Sequence, residues 1–331
     1  MKDNEPAANR ALYRPPAPTP CGIKGMIWRI FFSRKSDILH YLHKSAFKTY
    51  MTKAPLSKKR NIYLINDPAI IRTIMTSDVA NYPKSDLVTS ALAPLVGESI
   101  FTVSGEKWQR QHRMIDQVFA KLRLRVVFDT MQAAIRDYQV RLDAHVVRII
   151  NLDEEMAFVT ADVIFRTMFS RPIADADANT IFREFTLYQE CLPHMTGRAV
   201  YRRIAHAAPK IPKRGLIACT AIRDIIGRIV DERLSGQVVE DDICQIIVTC
   251  RDPQTGEGFT REEMINQIAF FFLAGHETSA SALTWAFLCL SQDDKAAQRL
   301  RDEVQDVAGE GEISYDHLSR LRFTGAVFKE T

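Results

Sequence analysis

Residues 264–290 have the sequence MINQIAFFFLAGHETSASALTWAFLCL, an almost unbroken apolar run that is long enough for one helix. Thr260 and Glu263 have the spacing of a capping box, in which two side chains satisfy free backbone amides at a helix start. A helix that is apolar on every side belongs in the middle of a large domain or in a bilayer. Because Gln267 and His276 lie well inside the run, the bilayer is disfavoured and a buried central helix is predicted.

The centre of this helix, AGHETS at residues 274–279, combines small residues with polar side chains. At about 100° per residue, Gly275 and Thr278 share one face, and Glu277 lies beside them. A glycine inside a helix costs roughly 1 kcal/mol relative to alanine, so Gly275 predicts the close approach of another group. That group is either a flat ligand against the backbone or a second helix that crosses there, with Glu277 bound to an arginine.

Three stretches of the chain resemble segments of the cytochrome P450 family. AGHETS matches the central-helix signature Ala/Gly-Gly-x-Asp/Glu-Thr-Thr/Ser at every position, and residues 105–113 (GEKWQRQHR) resemble the Gly-x-x-Trp-x-x-x-Arg/His segment of the third helix. Residues 318–331 resemble the start of the Glu-x-x-Arg helix, with Glu330 as the glutamate. The resemblance covers roughly residues 15–331. It implies a mainly α-helical P450 fold with a small N-terminal β-sheet, incomplete at the C-terminus.

The resemblance implies heme (iron protoporphyrin IX) as the cofactor. Trp108 and His112 are four residues apart and share a helix face, so both could donate hydrogen bonds to a heme propionate. Many relatives have arginine in place of His112, and a histidine donor depends on pH. Ala274 and Gly275 would make room for heme and oxygen. The alternative interpretation makes Trp108 a core residue and His112 a surface residue.

The implied activity is that of a monooxygenase, which inserts one atom of O2 into an organic substrate and reduces the other to water. Electrons would come from NAD(P)H through a redox partner. Glu277 would relay protons inward through waters as a general acid, and Thr278 would hold a water or hydroperoxide beside the heme. Substrate choice would lie in residues 81–100 and 191–216, which identify no particular small organic substrate.

P450s hold the heme iron through a cysteine thiolate. None of the six cysteines has the expected surroundings, Phe-x-x-Gly-x-Arg-x-Cys-x-Gly, so no metal ligand is predicted within this chain. We therefore expect a proline-rich segment over residues 1–20 and a partial P450 domain over residues 21–331, inactive when alone. The alternative is a catalytically inactive helical remnant or a binding protein.

The composition is ordinary for a soluble globular protein, with 46% hydrophobic and 25% charged residues. The net charge of +4 indicates no nucleic-acid partner. Scattered cysteines and the absence of an apolar leader in the first twenty residues predict a cytoplasmic location. Residues 25–32 (GMIWRIFF) are too short to span a membrane, so no transmembrane anchor is expected. They could lie on a membrane surface or dock on the domain.

Charged residues near the third helix raise two further possibilities. Residues 106–125 contain six basic side chains against two acidic ones, which could attract an acidic ferredoxin or flavodoxin-type partner or could be only a solvated face. Lys84 lies either near an acidic group of the cofactor or exposed on a loop.

Periodicity and chain-breaking residues predict the remaining elements. An amphipathic helix is expected over residues 37–50, a strand over 61–65 and an irregular segment over 81–100. Further helices are expected over residues 69–76, 131–150, 151–169, 218–234, 240–250 and 293–307.

Overall fold

A computed structural model describes residues 19–32, 40, 42–54, 62–121, 124–143, 149–192 and 211–331. These residues form a mainly α-helical fold with one small sheet, in which strands β1 (Met51–Ala54) and β2 (Ile62–Ile65) pair antiparallel. The helices are α1 (Ile23–Phe32), α2 (Pro68–Met75), α3 (Asp86–Val96), α4 (Gly105–Lys121), α5 (Leu124–Asp143), α6 (Leu152–Phe169), α7 (Ala176–Cys191), α8 (Lys213–Leu234), α9 (Ile243–Thr249), α10 (Arg261–Ser291), α11 (Asp294–Ala308) and α12 (Arg322–Glu330).

The predicted central helix and its capping box are confirmed. Helix α10 is 31 residues long. The backbone amide of Thr260 donates to Glu263 Oε2 at 2.9 Å, and the amide of Glu263 donates to Thr260 Oγ1 at 3.2 Å. Both side chains therefore satisfy amides that the first turn of a helix leaves free. Residues 264–269 of this helix are buried.

The chain divides into two compact units. The larger unit comprises Pro18–Val127 and Ala161–Gly275, and the described part of the smaller unit comprises Phe128–Thr160 and His276–Thr331. Helices α6 and α10 contribute to both units. The proline-rich segment predicted over residues 1–20 lies almost entirely outside the described residues.

Aromatic side chains fill the core of the larger unit. Phe272 of α10 packs against Phe165 of α6 at 4.9 Å between ring centroids and against Phe185 of α7 at 5.1 Å. All three rings are buried. Because each ring removes a large apolar area from water, this cluster fixes the first half of α10 in the interior of the unit.

The smaller unit has its own apolar cluster, formed by Met156 and Val159 of α6 and Ala280 of α10. Glu303 of α11 caps α12, because its carboxylate accepts the backbone amides of Phe323 at 2.6 Å and Thr324 at 2.8 Å. These amide contacts hold the pKa of Glu303 below its usual value, against the opposing effect of burial.

Two of the predicted elements are wrong. In the described part of residues 37–50 there is no amphipathic helix, but a single 3-10 turn, Lys44–Phe47, followed directly by β1; residues 37–39 and 41 lie outside the described part. Residues 81–100 are not irregular, because they contain α3. The strand expected over residues 61–65 is confirmed as β2.

Within the described ranges, no helix is long and apolar enough to cross a membrane.

Candidate functional site

An open pocket of about 600 Å³ in the larger unit is lined by all four residues that were predicted to bind the cofactor. Trp108 and His112 come from α4, and Ala274 and Gly275 come from α10. The rest of the wall is largely apolar and includes Ile100, Phe101, Phe119, Ile164, Phe270 and Phe271. The fold therefore brings two distant sequence stretches to one ligand-sized cavity.

Helix α4 presents one continuous face to this pocket. Gly105 starts the helix with a φ of 64°, a left-handed conformation that glycine adopts easily. Trp108, His112, Ile115 and Phe119 then follow at helical spacing and line the pocket together. The rings of Trp108 and His112 lie 4.7 Å apart. The sequence analysis missed Ile115 and Phe119, although the same periodicity that pairs Trp108 with His112 could have identified them.

A carboxylate fixes the proton on one side of the His112 ring. His112 Nδ1 lies 3.0 Å from Asp116 Oδ2. Because an ionised carboxylate only accepts hydrogen bonds, Nδ1 must carry the proton in this contact. Nε2 can then donate only when the ring takes up a second proton, whereas the indole N–H of Trp108 donates at any pH. Trp108 is therefore the donor that does not depend on pH.

Lys84 also reaches the pocket, although it is exposed. Its Nζ lies 5.9 Å from the centroid of the Trp108 ring and donates a hydrogen bond to the carbonyl of Ile100. Partial removal from water lowers the pKa of Lys84 to about 8. An anionic group bound beside Trp108 would therefore gain an ammonium partner at neutral pH.

Gly275 lies both at the pocket and against a second helix, so the structure agrees with a helix crossing and leaves the ligand interpretation a prediction. It lines the pocket, and a Cβ atom added to it would come within 2.7 Å of Ile164 Cδ1 on α6. The space left by the absent side chain is thus partly filled by Ile164, as expected for a helix crossing. Because Cδ1 is the far end of a flexible side chain, a ligand against the helix backbone here would require Ile164 to adopt another rotamer.

The predicted catalytic residues Glu277 and Thr278 belong to the smaller unit, and both are exposed. Between them and Gly275 lies His276, which is buried. The Nε2 of His276 donates to the carbonyl of Ala157 at 3.1 Å, and its own carbonyl accepts from Thr160 Oγ1 at 3.2 Å. Burial lowers the pKa of His276 to about 4. This histidine therefore joins α6 to α10 as a neutral side chain.

Ion pairs neutralise several described cations of the basic patch that was predicted to attract an acidic partner. Lys107 pairs with Glu98 at 2.6 Å, and Arg110 pairs with Glu263 at 2.8 Å. Arg113 binds Asp252 at 2.8 Å, and this hydrogen bond lowers the pKa of Asp252 to about 2. At least three of these cations thus have acidic partners among the described residues, which weakens the electrostatic support for an acidic redox partner at this place.

No cysteine is among the described residues that line the pocket. Cys219 and Cys244 are buried elsewhere in the larger unit, and burial raises the pKa of each thiol to about 12. Thiols of this kind stay protonated at neutral pH, whereas a metal ligand must be a thiolate. Neither cysteine is a candidate iron ligand.

The architecture is that of a heme-domain fold. The crystal structure of cytochrome P450DA heme domain matches this chain with a TM-score of 0.70 at 16% identity, covering 86% of this chain and 62% of that chain. The sequence profile described as Cytochrome P450 matches residues 15–331. The chain therefore belongs to the cytochrome P450 family.

Two similar proteins are longer than this chain. The bifunctional cytochrome P450/NADPH–P450 reductase of Gibberella moniliformis (strain M3125 / FGSC 7600) is 28% identical over 257 residues, which cover 72% of this chain and 22% of that protein. Cyclooctatin synthase of Streptomyces melanosporofaciens is 27% identical over 279 residues, covering 82% of this chain and 58% of that protein. The chain thus spans less than two thirds of the length of either relative.

Proposed function

We propose that the pocket in the larger unit binds the heme of a monooxygenase. Such an enzyme inserts one atom of O2 into a small organic substrate, with electrons from NAD(P)H delivered by a redox partner of the ferredoxin, flavodoxin or P450-reductase type. The observation that carries this proposal is the meeting of Trp108 and His112 with Ala274 and Gly275 around one cavity. The family membership of the chain supports it.

The residues around the pocket fit a heme. The macrocycle is flat and apolar, and the walls supplied by Phe101, Phe270 and Phe271 are apolar too. Its two carboxylates need hydrogen-bond donors, which Trp108 and Lys84 supply on one side of the pocket. Bound heme iron would supply the activation of O2. The described pocket wall supplies no thiolate for the iron, so this chain's own contribution lies in binding and in proton delivery.

Glu277 and Thr278 are proposed to handle protons. Glu277 is exposed, so its carboxylate can take protons from solvent water. The hydroxyl of Thr278, on the next residue, can donate and accept hydrogen bonds, so it can hold a water molecule.

Titration with iron-free protoporphyrin IX tests the binding step without requiring an iron ligand. Quenching of tryptophan fluorescence should show saturable binding to the intact chain. Trp108→Phe keeps an aromatic ring but removes the N–H donor, and should weaken binding roughly tenfold. Lys84→Gln should also weaken binding, and this loss should shrink above a pH of about 8, where the lysine is neutral.

The matched control for this titration is Trp285→Phe, which changes an exposed tryptophan of the smaller unit and should leave porphyrin affinity unchanged. Equal affinity of Trp108→Phe and Trp285→Phe would refute the assigned pocket. A chain that binds porphyrin, takes up heme and forms no thiolate-type spectrum after the heme is reduced and CO is added would favour the alternative of a heme-binding protein without monooxygenase activity.

The proton-handling role has a separate test. In a full-length version of the enzyme that supplies the iron ligand, with NAD(P)H and a reductase, Thr278→Ala should lower the yield of oxygenated product per electron consumed. Thr284→Ala on the same helix removes a hydroxyl that donates to the Ala280 carbonyl at 2.9 Å, and should leave that yield unchanged. Equal yields in all three proteins would show that Thr278 has no such role.

A further inference from the structure

Two free cysteines of the larger unit lie where α7 packs along α8. Cys191 is the last residue of α7, and Cys219 lies in the second turn of α8. Both side chains are buried, with Cys191 5% and Cys219 2% exposed. Neither is among the residues that line the proposed heme pocket, so the proposed function leaves both thiols without a role.

Gly215 lets α7 approach α8 closely beside these thiols. A Cβ atom added to Gly215 would lie 2.8 Å from Cys191 Cβ and 3.2 Å from Cys191 Sγ. Cys219 follows Gly215 by one helical turn and therefore shares its face of α8. Because helical side chains lean toward the N-terminus of their helix, the Cys219 thiol leans toward Gly215 and hence toward Cys191.

The side chain of Tyr188 gives a second measure of where the Cys219 thiol lies. Tyr188 and Cys191 are three residues apart on α7 and share one face of that helix. Burial raises the pKa of Tyr188, and the neighbouring Cys219 thiol raises it further. Burial likewise raises the pKa of Cys219 to about 12, and the Cys191 thiol acts in the same direction. Cys219 is therefore a neighbour of both α7 residues.

We propose that Cys191 and Cys219 form a redox modification site, which a peroxide converts into a disulfide between α7 and α8. Peroxide reaches Cys191 first, because the end of a helix opens more readily than its middle. One peroxide oxygen is transferred to the Cys191 sulfur as the O–O bond breaks, which gives a sulfenic acid and one water. The Cys219 sulfur then forms the S–S bond, and the departing hydroxyl takes the Cys219 proton as a second water. Two thiols thus lose two electrons to one peroxide. The inference is independent of the proposed function.

Peptide mapping of the whole chain after treatment with hydrogen peroxide tests this inference. Two of the six thiols should be lost, and tryptic peptides 184–198 and 215–223 should appear joined until dithiothreitol separates them. Cys191→Ser and Cys219→Ser should each abolish the joined peptide. Cys244→Ser, which changes a buried cysteine on α9, is the matched control and should leave its yield unchanged.

A second pair of variants tests the geometry without removing a thiol. Gly215→Ala should slow formation of the joined peptide roughly tenfold, because the new methyl group displaces Cys191 and disulfide geometry is strict. Gly227→Ala on the same helix is the matched control. Its added Cβ would meet Arg261 Nη2 at 2.9 Å, the far end of a flexible side chain, so the rate should stay that of the wild type.

Three results would overturn the inference. One is an equal rate for the two alanine variants, and another is loss of thiols to sulfinic acid with no joined peptide. The third is a peroxide-induced link that joins other cysteines of the chain or two copies of it, as shown by peptide mapping and non-reducing electrophoresis. Circular dichroism of the reduced proteins would confirm that each variant is folded.

Discussion

The side-chain oxygen Oε1 of Gln267 accepts a hydrogen bond of 3.1 Å from the backbone amide of Ile100, 167 residues earlier in the chain. Gln111 of α4 binds the same segment, because its Nε2 donates a hydrogen bond to the carbonyl of Glu98 at 3.0 Å. The next residue, Phe101, stacks on Phe270 at 5.4 Å. Two buried amide side chains thus hold the piece of backbone that forms one wall of the proposed heme pocket.

Gln267→Met should destabilise the chain by about 1–3 kcal/mol, because it leaves the Ile100 amide buried without an acceptor. The methionine side chain has nearly the same length, so the loss reports the hydrogen bond rather than a cavity. Urea unfolding gives the change in free energy. Hydrogen exchange should show faster exchange at Ile100 in the folded variant.

Gln254→Met is the matched control, since Gln254 is exposed in the turn before α10 and its substitution should leave both measurements unchanged. If Ile100 exchanged at the wild-type rate in Gln267→Met, this hydrogen bond would not hold the pocket wall.

Gly275→Ala should gain little or no stability, unlike a glycine-to-alanine change in open space. The added Cβ would meet Ile164 Cδ1 at 2.7 Å, so the gain in helix propensity is offset by displacement of that side chain. Gly325, inside α12, has no atom within 4 Å of an added Cβ, and Gly325→Ala should stabilise by about 1 kcal/mol. Both changes are measured by urea unfolding.

Ile164→Val separates the effect of the contact with Ile164 from the effect of helix propensity at position 275. Valine lacks the Cδ1 atom that the new methyl group of Gly275→Ala would meet. In a double-mutant cycle, Gly275→Ala should be more favourable in the Ile164→Val background than in the wild type. Additive effects would mean that Gly275 is not a contact point between α6 and α10.

Local chemistry explains which elements could be predicted from the sequence. The start of α10 depends on Thr260 and Glu263, which lie three residues apart and satisfy each other's amides. Helix α3 depends instead on distant partners, because Tyr188 donates to the carbonyl of Ala91 at 2.7 Å and Arg223 donates to the carbonyl of Leu95 at 2.7 Å. Pro94 within α3 argues locally against a helix, and only these long-range contacts outweigh it.

The candidate site also combines residues that local sequence patterns predict with residues that only long-range packing brings into place. Trp108 and His112 could be paired from helical spacing alone, and the small residues Ala274 and Gly275 from one motif. That Ile164 would fill the notch, and that Lys84 would reach Trp108 from a separate segment, follows only from the packing of distant parts of the chain. The cofactor-binding and catalytic roles of these residues remain predictions.

Asp242→Asn should destabilise the chain by roughly 3–5 kcal/mol, because it leaves a buried guanidinium uncompensated. Arg233 Nη2 lies 2.8 Å from Asp242 Oδ2, and both side chains are almost fully buried. Among the described residues, the Nε and Nη1 atoms of Arg233 have no hydrogen-bond partner, so no other described carboxylate replaces Asp242. Asp242 also caps α9 through the amide of Gln245 at 2.9 Å.

The exposed pair Arg261–Asp231 provides the comparison for this change. Its two side chains are about half exposed, at 51% and 54%, and solvent screens their attraction. Asp231→Asn should therefore shift the urea midpoint far less than Asp242→Asn. Similar midpoints for the two variants would show that burial of the Arg233–Asp242 pair has no special cost.

His276 should make the folded chain less stable as pH falls. Burial lowers its pKa to about 4 in the folded state, whereas an unfolded histidine titrates near pH 6.5. Between these values the unfolded chain binds more protons, so the free energy of unfolding is unaffected above about pH 6.5 and falls as pH drops toward 4. The total loss is on the order of 3 kcal/mol.

His276→Gln can still donate to the Ala157 carbonyl but cannot titrate, so its unfolding free energy should fall less over this range. Urea unfolding at several pH values measures the difference, in which carboxylate titrations common to both proteins cancel. If His276→Gln and wild type lost stability in parallel, the buried histidine would not be neutral at the crossing of α6 and α10.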